Sequence, residues 1–160
     1  MKKFVFSLPF LLLSILFLSY CASALSFPSA EDISEVIRKA TPTEFGYLDN
    51  TEYYMQYYFS DLSYVDDSCI VICAESSNFN EFGVFHVKNP SDAKLCEKQV
   101  KSYLSEAKER FKSGVIYDID QYPKFENAKI VTIGSYVIYT ILDPSESKRA
   151  IEEIKKTLAK

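Results

Sequence analysis

Acid–base or nucleophilic chemistry needs ionisable groups held within hydrogen-bond reach of one another. This 160-residue chain offers few of them: one histidine, four cysteines, 22 acids and 12 tyrosines. His86 stands in Phe82-Gly83-Val84-Phe85-His86-Val87, where strand alternation puts it on one face with Phe82, Val84 and Lys88. No Gly-x-Ser-x-Gly elbow or histidine-bearing metal motif accompanies it, so it reads as a half-exposed strand histidine. Asp66-Asp67 and Asp118-Ile119-Asp120 are the acid pairs. The second pair could hold Ca²⁺, but the glycine and terminal glutamate of a calcium loop are missing. Both pairs read as solvated loop acids or caps.

The cysteines are Cys21, Cys69, Cys73 and Cys96. Cys69 and Cys73 share a strand face but lie about 13 Å apart at strand rise, too far to bridge. Cys96 falls on the apolar stripe of a helix. It either meets one of the other two across the core or, like them, packs as a small hydrophobe. No Cys-x-x-Cys is present, so the spacing supports neither zinc nor thioredoxin-like chemistry, and no cofactor or metal is expected. Tyr53, Tyr54, Tyr57 and Tyr58 form two i,i+4 pairs on one short segment. Each ring offers a broad apolar face with a hydrogen-bonding tip, which suits glycan stacking or a protein interface. A plainer reading packs Tyr54 and Tyr58 on a sheet and leaves the other two at the rim. These four residues are the candidate interaction surface.

The first 24 residues read as an address. Met1-Lys2-Lys3 is a positive n-region, Phe4 to Leu18 is apolar but short for a membrane span, and Ala22-Ser23-Ala24 is a small-x-small cleavage signal. In a second reading, Leu18-Ser19-Tyr20-Cys21 is similar to a lipobox with Cys21 lipidated, although Tyr20 replaces the small residue normal there. Removal of residues 1–24 takes two lysines and no acid, which moves the net charge from −4 to −6. That sign argues against nucleic acid as a partner and against electrostatic attachment to anionic surfaces. Membrane association is then expected only through the signal peptide or a lipid on Cys21.

Residues 25–30 read as a linker and 31–160 as a single α+β domain. Ser29 with Asp32 three residues on is a helix-start signal, and Thr41-Pro42 a stop. Glu52 to Phe59 is a second short helix. Cys69 to Ala74 is a buried strand, with Phe82 to Lys88 as its hairpin partner. Asn89-Pro90-Ser91-Asp92 opens a long helix that carries Ala93, Cys96, Val100, Leu104, Ala107 and Phe111 on one stripe and ends at Gly114. Lys129 to Ile133 and Tyr136 to Leu142 flank Gly134-Ser135, and Asp143-Pro144 repeats the helix start 54 residues after Asn89. The expectation is a β-β-α-β-β-α core: a four-stranded, mostly antiparallel sheet from a repeated β-β-α unit, helices on one face, preceded by one or two short helices. Val137, Tyr139 and Ile141 oppose Tyr136, Ile138 and Leu142, so both faces of that strand are apolar and both must be covered.

Phe82-Gly83-Val84-Phe85-His86-Val87, the charged helix, Tyr117, Tyr122, Asn127-Ala128 and Gly134-Ser135-Tyr136-Val137 resemble domain-of-unknown-function family 4358, exported proteins and lipoproteins of clostridia-like Gram-positive bacteria. The resemblance runs from about Ile33 to the C-terminus. It implies an extracytoplasmic location and an approximate fold, and it supplies no catalytic residues. Two functions follow as expectations. One is a non-catalytic exported or envelope-associated domain that binds a protein or cell-wall component. The other is a small extracytoplasmic hydrolase using His86 or acids such as Asp118 and Asp120.

Overall fold

The computed structural model describes residues 27–59, 61–115 and 119–159. The signal segment with Cys21, and Tyr117 and Asp118, lie outside the described residues. Helix α1 (Ala30–Ala40) starts as its sequence requires. Ser29 Oγ accepts from the Asp32 N–H, and the Asp32 carboxylate accepts from the Ser29 N–H, a reciprocal cap. Strand β1 (Tyr47–Asp49) and helix α2 (Thr51–Tyr57) follow, then β2 (Val65–Cys73) and β3 (Glu81–Val87). Pro90–Asp92 form one 3₁₀ turn that feeds α3 (Ala93–Arg110). After a second 3₁₀ turn, Ile119–Gln121, come α4 (Tyr122–Glu126), β4 (Lys129–Ile133), β5 (Tyr136–Ile141) and α5 (Pro144–Leu158). Gly134 takes the positive φ of 58° that the β4–β5 turn demands. Among the described residues, no helix is long and apolar enough to cross a membrane.

The sheet has five strands in the order β1-β2-β3-β5-β4, every neighbouring pair antiparallel. The expected four-strand sheet is therefore corrected by β1, a three-residue edge strand paired to β2. The expectation of both long helices on one face is also corrected. Phe85, Val87, Val137, Tyr139 and Ile141 pack with Cys96, Val100, Tyr103 and Ala107 of α3. Phe82, Val84, Tyr136, Ile138 and Leu142 pack with Ile33 and Ile37 of α1 and Ala150 and Ile154 of α5. The physical reason is that α1 cannot cover its face alone, and α5 lies beside it to complete that layer. Two strands followed by a helix occur twice in the element order, with α4 inserted before the second occurrence. A two-fold axis normal to the sheet would keep α3 and α5 on one face, and they lie on opposite faces. Helix α3 also does not end at Gly114 but widens after Arg110 into a π-helical turn, Phe111–Val115. The two-faced apolar pattern read from β5 holds residue by residue, with each set in its own core.

Cys69 and Cys73 face the α1 layer, and Cys96 lies in the other core across the sheet. All three are buried free thiols. Packing, not a bridge, is the outcome for these three.

Candidate functional site

One buried acid, Glu81, gathers partners from three other elements. Glu81 is the first residue of β3 and faces the α3 layer, where it is only 8% exposed. Its Oε1 accepts from the Tyr103 hydroxyl at 2.5 Å and the Tyr139 hydroxyl at 2.7 Å, and its Oε2 from the Tyr54 hydroxyl at 2.7 Å. Burial pushes the Glu81 carboxyl above the ordinary range, while the three hydroxyls and the Arg110 guanidinium pull it back part of the way. The tyrosines move with it. Burial first, then the carboxylate charge, raises Tyr54, Tyr103 and Tyr139.

Each partner arrives from a different element. Tyr139 of β5 stands opposite Gly83 of β3, and a Cβ at Gly83 would lie 2.2 Å from the Tyr139 ring. The glycine is thus the gap over which the ring lies to reach Glu81, two residues away on the same face. Tyr103 comes from the buried stripe of α3, in the place the spacing assigned to Leu104, which is half-buried. Tyr54 comes from α2, and its bond ties that short helix to β3. Arg110, at the end of α3, lies 5.0 Å from the Tyr58 ring centre and 5.9 Å from that of Tyr103. Glu81, Tyr54, Tyr58, Tyr103 and Arg110, with Phe79 and Phe125, line a cleft of about 200 Å³.

The four candidate tyrosines therefore divide. Tyr54 and Tyr58 turn toward Glu81, their rings 5.2 Å apart. Tyr53 and Tyr57 turn outward, 49% and 61% exposed, with ring centres 4.7 Å apart. The outward pair sits on a shallow cleft of about 790 Å³ whose other walls are Asp49, Asn50, Thr51, Glu52, Gln56 and Ser68. Two adjacent aromatic faces ringed by two carboxylates and two amides can stack on a sugar-like face and hydrogen-bond its hydroxyls.

The other candidates are dispersed. His86 lies 4.8 Å from the Tyr136 ring and 6.1 Å from the Phe27 ring, with its Nδ1 3.6 Å from Asp66 Oδ2. Asp67 accepts from the Ala30 N–H at 2.6 Å and so anchors α1. Asp66 and Asp67 thus serve different partners. Asp120 lies in the 3₁₀ turn before α4, where Gln121 Oε1 accepts from the Phe79 N–H at 3.2 Å. On the α1 side, the Cys69 thiol donates to Glu31 Oε2 at 2.8 Å, and Asp49 lies close by. Burial, then that bond, pushes the Cys69 thiol up to about 12.

No curated protein and no solved structure matches the chain. A family does. The family described as Domain of unknown function (DUF4358) matches residues 48–142, more than half of the chain, from β1 to the end of β5, and the protein belongs to it.

Proposed function

We propose that the protein is an exported, non-catalytic domain that binds a cell-wall glycan at the Tyr53–Tyr57 cleft. The observation that carries this reading is the outward pair: two exposed rings 4.7 Å apart at the mouth of an open cleft with Asp49, Asn50, Glu52 and Gln56 around them. The Glu81 cluster supports it from beneath. Tyr54, on the inner side of α2, is bonded to a carboxylate buried in β3, so the helix that presents Tyr53 and Tyr57 is held before a ligand arrives. A non-catalytic role is supported by how the acids are engaged. Both Glu81 oxygens accept tyrosine hydroxyls, and Asp66 and Asp67 face separate partners. Export is supported by the n-region, apolar run and Ala22-Ser23-Ala24.

The test is co-sedimentation of the purified chain with isolated Gram-positive cell-wall sacculi. Wild type pellets with the sacculi in a saturable way, and Tyr53→Ala/Tyr57→Ala stays in the supernatant with an unchanged circular-dichroism spectrum. A chain that fails to pellet, or a double variant that pellets equally, overturns the reading. Mass measurement of the protein recovered from a Gram-positive host tests export, with Leu25 or a lipidated Cys21 expected as the first residue.

A further inference from the structure

We propose a zinc site formed by Glu31 of α1, Asp49 of β1 and Cys69 of β2, three residues far apart in sequence whose ligand atoms all lie within 4.8 Å of one another. Zinc is borderline in softness and takes thiolate sulfur together with carboxylate oxygen, which fits this donor set. Bond lengths of about 2.0 Å to oxygen and about 2.3 Å to sulfur put tetrahedral ligands roughly 3.5 Å apart. The exposed Glu31 and Asp49 side chains can close that distance by rotation, and the buried sulfur need not move. Three protein ligands leave a fourth position to water.

Ser34 is the independent sign. Its hydroxyl is completely buried, has no well-formed hydrogen bond, and is directed at the Cys69 sulfur, one turn of α1 after Glu31. A buried hydroxyl with no strong partner is uncommon and calls for a reason. With the thiol protonated, sulfur is a weak acceptor, and its proton is directed at Glu31 Oε2 at 2.8 Å. When zinc binds, the S–H bond breaks, an S–Zn bond forms and the proton passes to solvent. The sulfur then carries charge, and Ser34 Oγ becomes its donor, the outer-shell contact that metal ligands usually have.

The carboxylates are already oriented in the same sense. Glu31 Oε1 accepts from Arg38 at 2.9 Å, which leaves Oε2 toward Cys69. Asp49 Oδ1 accepts from the Thr51 N–H at 2.8 Å. The positive charge of Arg38 beside Glu31 is itself shared with Glu35.

The experiment uses the full chain. Zn²⁺ titrated calorimetrically should bind once per chain, and Co²⁺ should give a thiolate-to-metal charge-transfer band. Cys69→Ser should abolish that band while Cys21, Cys73 and Cys96 remain. Because Cys69 is buried, Glu31→Gln and Asp49→Asn serve as surface variants that spare the core, each expected to weaken Zn²⁺ binding at least tenfold. Ser34→Ala should weaken it by roughly tenfold. Absence of saturable Zn²⁺ binding overturns the proposal. So does a Co²⁺ band that survives Cys69→Ser, or Zn²⁺ affinity unchanged in both carboxylate variants. None of these readouts involves a glycan, so the result stands apart from binding at the tyrosine cleft.

Discussion

Replacing Glu81 by Leu removes the acceptor of three tyrosine hydroxyls. Tyr103 is 5% exposed and Tyr139 fully buried, so their hydroxyls cannot turn to water, whereas the less deeply buried Tyr54 can. An unpartnered buried hydroxyl costs about 1–3 kcal/mol. Two of them cost about 2–6 kcal/mol, and relief of the carboxylate's own burial offsets part of this. The net expectation for Glu81→Leu is a loss of about 2–4 kcal/mol. With a urea slope of about 1–3 kcal/mol per molar, the midpoint should fall by roughly 1–2 M. Far-UV circular dichroism is the suitable probe, since the chain has no tryptophan. The decisive arm is the triple variant Glu81→Leu/Tyr103→Phe/Tyr139→Phe. Removing acceptor and donors together leaves nothing unpaired, so it should recover most of what the single variant loses. A Glu81→Leu midpoint within error of wild type would refute the role given to Glu81. So would a triple variant as unstable as the sum of its single changes.

Three further outcomes follow from the same cluster. Gly83→Ala puts a methyl 2.2 Å from the Tyr139 ring and should lower stability by about 1–3 kcal/mol in the same urea assay, whereas Gly83→Ala/Tyr139→Leu should regain part of it. Tyr54, Tyr103 and Tyr139 are raised in the fold, so the unfolded chain loses those protons first as pH rises through the ordinary tyrosine range. Stability should be complete below about pH 10 and fall above it. In absorbance titration these three phenols should ionise only as the protein unfolds. Glu81, also raised, holds its proton in the fold after the unfolded chain has lost it. Its contribution is present in full below the ordinary carboxylate range and fades as pH rises through its folded value. Wild type should therefore lose stability relative to Glu81→Gln over that window, and parallel pH profiles would contradict this.

What could be read from the residues was local. Ser29 with Asp32, Pro144 after Asp143, and the Gly134 turn each mark an element end through chemistry contained within four residues. The alternating apolar sets of β5 disclosed a sheet covered on both sides. Which helix covers which face was not legible, because an apolar stripe fits either face of such a sheet. Strand β1 is three residues long and mostly exposed, too short to carry a period. Glu81 looked like a flank of the hairpin, since its partners stand at positions 54, 103 and 139 and come together only in the fold. The one hint lay in Gly83, a glycine inside an apolar strand, which signals that another group passes close over the backbone. Glu31, Asp49 and Cys69 were hidden in the same way, by sequence distance.

The most direct measurement is the dissociation constant of the chain for solubilised cell-wall glycan fragments, compared between wild type and single Tyr53→Ala and Tyr57→Ala variants with matched urea midpoints. Loss of a stacking ring of hot-spot weight is worth about 1.4 kcal/mol or more, so each variant should bind at least about tenfold more weakly. Tyr53→Phe, which keeps the ring, should stay near wild type. Equal affinity across wild type and the alanine variants would contradict a binding role for the outward face of α2, as would the absence of any binding by wild type.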